Sequence, residues 1–214
     1  MKTDIIIITN TGKGLHEAME QAAAAGNYRG LGKKEALRLR LLAEEMLGMF
    51  REITGEIEGE FWLESEGKRF ELHLCAHPNV TGAMRDELLA VSSTGKNAAA
   101  VGVMGKLREL FESAFAAMEM TDPASYYTQG LLSMPTAEGL GPMAYNASVG
   151  ATAWSMQKYK ATVAEKKDDE SVAKEEWDEL EKSIVANLAD EVRVAIRGRE
   201  VEMVVYKNFE KQEL

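Results

Sequence analysis

"EFWLESEGKRFELHLCAH", Glu60–His77, alternates apolar and polar side chains with a period of two on both sides of "SEGK". That period marks strands with one buried face, and a glycine between two such runs marks a hairpin turn. In the second run Phe70, Leu72, Leu74 and Ala76 share one face, while Glu71, His73, Cys75 and His77 share the other. A second stretch, "EVRVAIRGREVEMVVYK" (191–207), sets Val192, Val194 and Ile196 against Val201, Met203 and Val205 around Gly198. It reads as another hairpin. The alternation predicts Phe61, Leu63, Leu72, Leu74, Val194 and Met203 inward, with Trp62, His73, Cys75, Val204 and Tyr206 on the opposite face. A face carrying tryptophan, tyrosine and valine is too apolar to stay bare. Segment 79–170, or a second copy of the chain in a homodimer, is expected to cover it.

Working outward, "DIIIITN" (Asp4–Asn10) is β-branched and reads as a strand. Helical patterns follow over 15–26 and 33–53, and a third spans 174–190 with Trp177, Leu180, Ile184 and Leu188 on one stripe. The middle of the chain differs. Residues 81–93 and 103–120 read as helices, the latter with Leu107, Leu110, Phe111, Ala114 and Phe115 together. Residues 121–151 hold three of the four prolines and read as loop, and 154–165 reads as helix. Without this middle section the order is strand–helix–helix–strand–strand–helix–strand–strand. The expected fold class is α+β, a two-layer α/β sandwich whose mixed sheet of four or five strands is covered on one face by helices. Residues 1–78 and 172–214 are expected to form the core, with 79–171 as a large, mostly helical insertion.

The 214 residues are 45% apolar and 28% charged, and the net charge of −10 argues against nucleic acid or an anionic membrane as the main partner. A four-isoleucine run is too short for a signal-peptide core, and no stretch reaches the roughly 18 apolar residues of a membrane span. The single cysteine, Cys75, excludes an internal disulfide and suits a reducing cytoplasm.

Within the second helix, "LRLLAEEMLGMFREI" (39–53) carries adjacent acids. Neighbours on a helix lie three and four residues apart. Glu44 is therefore beside Arg40, Leu41, Leu47 and Gly48, at the edge of the apolar stripe. Glu45 is beside Leu41, Leu42, Gly48 and Met49, within it. Glu45 reads either as an edge glutamate with its stem on the core or as an acid aimed into a ligand pocket. Between 93 and 106, Gly95 and Lys96 read as a displaced phosphate loop or as an ordinary connector, because Asn97 breaks the G-x-x-x-x-G-K-[ST] pattern. His73, Cys75 and His77 are spaced about 6–7 Å apart along a strand, too far to close on one metal, so no metal is expected.

Two stretches resemble the ATP-binding fold shared by histidine kinases, gyrase and Hsp90 (the GHKL, or Bergerat, family), in particular its anti-sigma-factor serine kinases. "LRLLAEEMLGMFREI" is similar to the family's first box, roughly L-A-x-x-E-x-x-x-N, and "NLADEVRVAIRGREVEMVVYK" resembles the last helix and final hairpin. The resemblance covers roughly 1–78 and 172–208. It implies an ATP site in which Glu45 falls on the water-activating Glu, Met49 on the Mg²⁺-binding Asn and Ala76 on the adenine-binding Asp. It also puts Pro78 on a conserved Gly and "WDELEKS" (177–183) on the glycine-rich lid. Met49, Ala76 and Pro78 depart from the family pattern, and "WDELEKS" has no glycine. The expectation is thus a cytoplasmic regulatory protein on this scaffold that binds a protein partner, with no cofactor and with ATP and Mg²⁺ held weakly if at all. The alternatives are a genuine ATP-binding or serine-kinase-like protein with a non-standard pocket, and an enzyme of another kind using Glu45 as acid or base.

Overall fold

The computed structural model describes residues 1–54, 58–76, 102–119, 151–166, 177, 178, 180, 183–197 and 200–210. Their strands are β1 (Ile6–Ile8), β2 (Gly59–Glu66), β3 (Arg69–Ala76), β4 (Ala151–Ser155), β5 (Glu191–Arg197) and β6 (Glu200–Asn208). The helices are α1 (Leu15–Tyr28), α2 (Lys33–Thr54), α3 (Gly102–Glu119), α4 (Met156–Lys166) and α5 (Ile184–Leu188). The architecture is α+β: an open sheet in the order β1-β2-β3-β6-β5-β4 with helices packed against it.

Every pairing in the described sheet is antiparallel, where a mixed sheet is expected from the sequence. The reason lies in the connections. Two helices, not one, join β1 to β2, so the chain returns reversed; a single crossover helix would have delivered a parallel neighbour. The β2–β3 link is a two-residue turn between paired Glu66 and Arg69. Gly67 has φ +57, and among the described residues no non-glycine residue has positive φ. Positive φ at only the first central position is the type II′ pattern, whose twist matches the flanking strands.

The sheet has six strands among the described residues, rather than four or five. The extra one is β4, which falls in a stretch expected to be loop running into helix. Its formation is decided by pairing at a distance: Trp154 lies opposite Val194 and packs against the core. Alternation elsewhere holds. Phe61, Leu63, Leu72, Leu74 and Met203 are fully buried and Val194 nearly so. Val204 is buried too, yet stands outside the main apolar cluster, because it points to the opposite face.

Small residues let the first two helices approach closely. Ala18, Ala22, Ala25 and Gly26 form the buried side of α1, and a Cβ on Gly26 would lie 3.4 Å from the Ala36 Cα of α2. The α2 side of the core is Leu39, Leu42, Ala43, Met46, Leu47, Met49 and Phe50. From α3, Leu107, Phe111 and Ala114 join the same cluster, with the Phe50 and Phe111 rings edge-to-face at 6.2 Å. The last helical stretch departs from its expected single stripe. Ser183 is extended (φ −71, ψ 119), and its Oγ accepts the Ala186 N–H, starting a new helix. The rotation buries Val185 and Ala186 and leaves Ile184 44% exposed.

Truncating Phe50 or Phe111 to alanine should each cost about 3–5 kcal/mol in urea unfolding. The double variant should reveal a coupling of about 0.5–1.5 kcal/mol. Strict additivity would mean that α3 does not pack on α2.

Candidate functional site

Two regions hold the residues to which sequence reasoning assigns chemistry. The first is the exposed margin of α2. Glu44 is exposed and Glu45 half-buried, one turn before Met49. Burial pushes the Glu45 carboxyl above its ordinary range, and the neighbouring Glu44 charge pushes it further. Met49 is 8% exposed and belongs to the core cluster, as does the fully buried Ala76 at the end of β3. Ala76 is wedged: Gly59 lies opposite it, and a Cβ on Gly59 would come within 2.8 Å of the Ala76 Cβ. That close approach requires glycine on β2. Gly95, Lys96, His77 and Pro78 lie outside the described residues.

The second region is the sheet face away from the core helices. Trp62, His73, Val204 and Arg193 stand side by side across β2, β3, β6 and β5. The Trp62 and His73 rings are parallel within 2° at 4.8 Å, and Lys2 Nζ lies 4.7 Å from the Trp62 ring centroid. Trp62 Nε1 donates to Glu64 Oε1 at 3.1 Å, which also pairs with Lys2 at 3.2 Å. Those two hydrogen bonds hold Glu64 below the usual carboxylate range. Arg193 reaches from this row over the Tyr206 ring of the adjacent one, at 5.1 Å. Long charged side chains thus lie flat over the aromatic ones, as amphipathic residues do at a wet apolar surface.

His73 is the most constrained group of this face, with only 12% of its side chain exposed. Among the described residues neither ring nitrogen makes a hydrogen bond. Carboxylate oxygens of Glu71 and Glu202 stand 3.6 Å from Nε2 and 4.0 Å from Nδ1, beyond hydrogen-bond range. Burial lowers the imidazole pKa and outweighs the opposing pull of Glu64, Glu71 and Glu202. Cys75, two residues on, has its thiol pushed up by burial and by Glu200, Glu202 and Glu60. A thiol held protonated is a poor nucleophile. Among the described residues, no group of three or more His, Cys, Asp or Glu is placed to hold a metal ion.

Sequence reading missed a polar cluster at the end of β5. Glu191 is 8% exposed, and its carboxylate accepts from Ser155 Oγ at 2.8 Å, Gln157 N at 3.1 Å and Val192 N at 2.9 Å, capping α4. Asp190 accepts from Asn208 N at 2.6 Å and closes the open end of the β5–β6 hairpin. Lys160 of α4 donates to the Ala186 carbonyl of α5, and burial lowers its pKa. The Asp-Glu pair of "DEVRV" therefore has a structural role, visible only once β4 is placed beside β5. No family model, curated protein or solved structure matches the chain.

Two titrations follow, with opposite slopes. The raised Glu45 pKa makes its charge unfavourable to folding, a penalty present above the folded-state value and absent below the ordinary 4.5. Glu45→Gln should match the parent below pH 4.5 and equal or exceed its stability at neutral pH. Glu44→Gln should change little. For His73 the lowered pKa means that stability is complete above 6.5 and falls as acid protonates the unfolded chain first. His73→Phe, which keeps an aromatic ring on Trp62, should remove that loss between neutral and mildly acidic pH in denaturant titrations. An unchanged acid slope would show that His73 is not the group responsible.

Proposed function

We propose that this chain is a regulatory binding protein on a histidine-kinase-like ATP-binding scaffold, similar in pattern to the anti-sigma-factor serine kinases, with its ATP chemistry reduced or lost. The single observation that carries the reading is the burial of Met49 in the apolar core one turn after Glu45. At the position where the family presents an oxygen to Mg²⁺, this chain presents a thioether sealed among hydrocarbons. Mg²⁺ is a hard ion that takes oxygen ligands. Ala76, fully buried where the adenine-binding carboxylate would stand, can accept no hydrogen bond. Each buried partner lost costs roughly 1–3 kcal/mol. In the stretch aligned with the lid, Leu180 is buried and Ser183 caps a short helix. The donor set does not fit Mg-ATP.

A second reading, a nucleotide-using enzyme with a non-standard pocket, draws on Glu45, whose elevated carboxyl pKa suits a proton acceptor. Titration calorimetry with Mg-ATP separates the two. The first reading expects no heat, or a dissociation constant weaker than about 1 mM, equivalent to roughly 4 kcal/mol of binding. A micromolar constant, lost in Glu45→Gln, would overturn it in favour of the second.

A further inference from the structure

The charge of this acidic chain is unevenly spread. Between residues 21 and 43 stand five cations (Arg29, Lys33, Lys34, Arg38 and Arg40) against one carboxylate, Glu35, a local net of +4 in a chain of net −10. Three of the six have clear structural duties. Arg29 donates from Nε to Ser65 Oγ and from Nη2 to Ser65 O, both at 2.9 Å, tying the end of α1 to the β2–β3 hairpin. Arg40 pairs with Glu20 at 3.2 Å. Glu35 turns back to accept the Gly32 N–H at 2.8 Å at the start of α2.

Among the described residues Lys33 and Lys34 have no such duty. They are exposed at the first two positions of α2, where the helix dipole disfavours cations. Beside them are two of the most exposed large apolar side chains among the described residues, Tyr28 at 77% and Leu37 at 60%. The Gly26–Ala36 contact brings these four residues to one end of the helix pair, each within about one turn of that contact. Among the described residues, nothing in the fold accounts for apolar side chains and unfavourably placed cations at one tip.

We propose that this tip, formed by Tyr28, Lys33, Lys34 and Leu37, is the docking surface for an acidic amphipathic segment of a partner protein. The inference rests on the reading of the chain as a partner-binding protein and supplies the partner's chemistry. Two lysines would meet the segment's carboxylates, and Tyr28 and Leu37 its apolar side. The chain's overall charge decides against the other polyanions. A nucleic acid or an anionic membrane extends past the patch and meets the rest of a chain of net −10. A short segment confines its charge to within about one Debye length, ~8 Å, of the lysines.

The test is fluorescence anisotropy on the full chain, using a labelled amphipathic peptide of about four helical turns with Glu confined to the two central turns of one face and Leu and Phe on the other. Saturable binding is expected, weakened roughly tenfold or more by 0.5 M salt, by the double charge reversal K33E/K34E, and by Leu37→Ser. Lys13→Glu, exposed at the far end of α1, should bind as the parent does, and circular dichroism should confirm that every variant is folded. Failure of the parent to bind below about 1 mM would overturn the proposal, as would equal binding by K33E/K34E. Tighter binding to a single-stranded oligonucleotide or to phosphatidylserine vesicles than to the peptide would also overturn it. Failure of the peptide with calorimetry still silent for Mg-ATP removes this surface alone, whereas micromolar Mg-ATP binding removes the functional reading beneath it.

Discussion

One row of side chains ties the molecule together. Ile6, Phe61, Leu74, Met203, Val194 and Trp154 stand in register across β1, β2, β3, β6, β5 and β4, one from each strand, all turned toward the helices. A slip of one residue in β2, β3, β6 or β5 would exchange its half of the core for Trp62, His73, Val204 or Arg193. The cost would be an apolar row moved into water and charges moved into the core, which is why the register is fixed so firmly. The helices are then placed by what that row leaves to be covered. The small side chains of α1 and the long apolar stripe of α2 lie over one half, and α3 and α4 complete the cluster toward β4.

The same constraint shapes the candidate chemistry. Residues drawn into the core lose the freedom to bind anything else, and Met49 and Ala76 are among them. Glu45, one turn away on the same helix, escapes only because its position falls at the margin, where a carboxylate keeps partial contact with water at the expense of an elevated pKa. On the other face of the sheet the side chains satisfy one another laterally: Lys2 lies over Trp62, Trp62 on His73, and Arg193 over Tyr206. The Trp62 ring is engaged by both Lys2 and His73 in this way, which argues against a stacking platform for a planar ligand.

How much of this was legible in the sequence depended on the range of the interaction. Period-two alternation assigned Phe61 and Leu63 of β2 and Phe70, Leu72, Leu74 and Ala76 of β3, because each strand carries its own record of which face is buried; it missed the buried Ser65, read as part of the turn. The α2 helix was equally clear, although Glu45, which helical spacing puts within the stripe, stands half-buried at its margin. What failed needed knowledge of distant partners. Strand β4 is five residues without a strong pattern, and it exists because β5 offers an edge to pair with. The antiparallel sense of β1 against β2 is a different case, since it follows from the two helices that the sequence already shows between them. Ile184 was assigned to the buried stripe because a 3.6-residue period was carried through Ser183, whose capping bond restarts the helix. The roles of Asp190 and Glu191 were hidden for the same reason as β4, since Ser155 and Gln157 are more than thirty residues away in sequence.

The central claim is that core packing occupies the positions where nucleotide chemistry would need polar groups, and its most direct test restores those groups. Met49→Asn and Ala76→Asp, singly and together, can be melted with and without Mg-ATP. The account predicts that each variant loses stability, by about 1–3 kcal/mol or more for a polar group buried without a partner, and that nucleotide moves no melting temperature. A double variant that stays as stable as the parent and melts several degrees higher with Mg-ATP would contradict it.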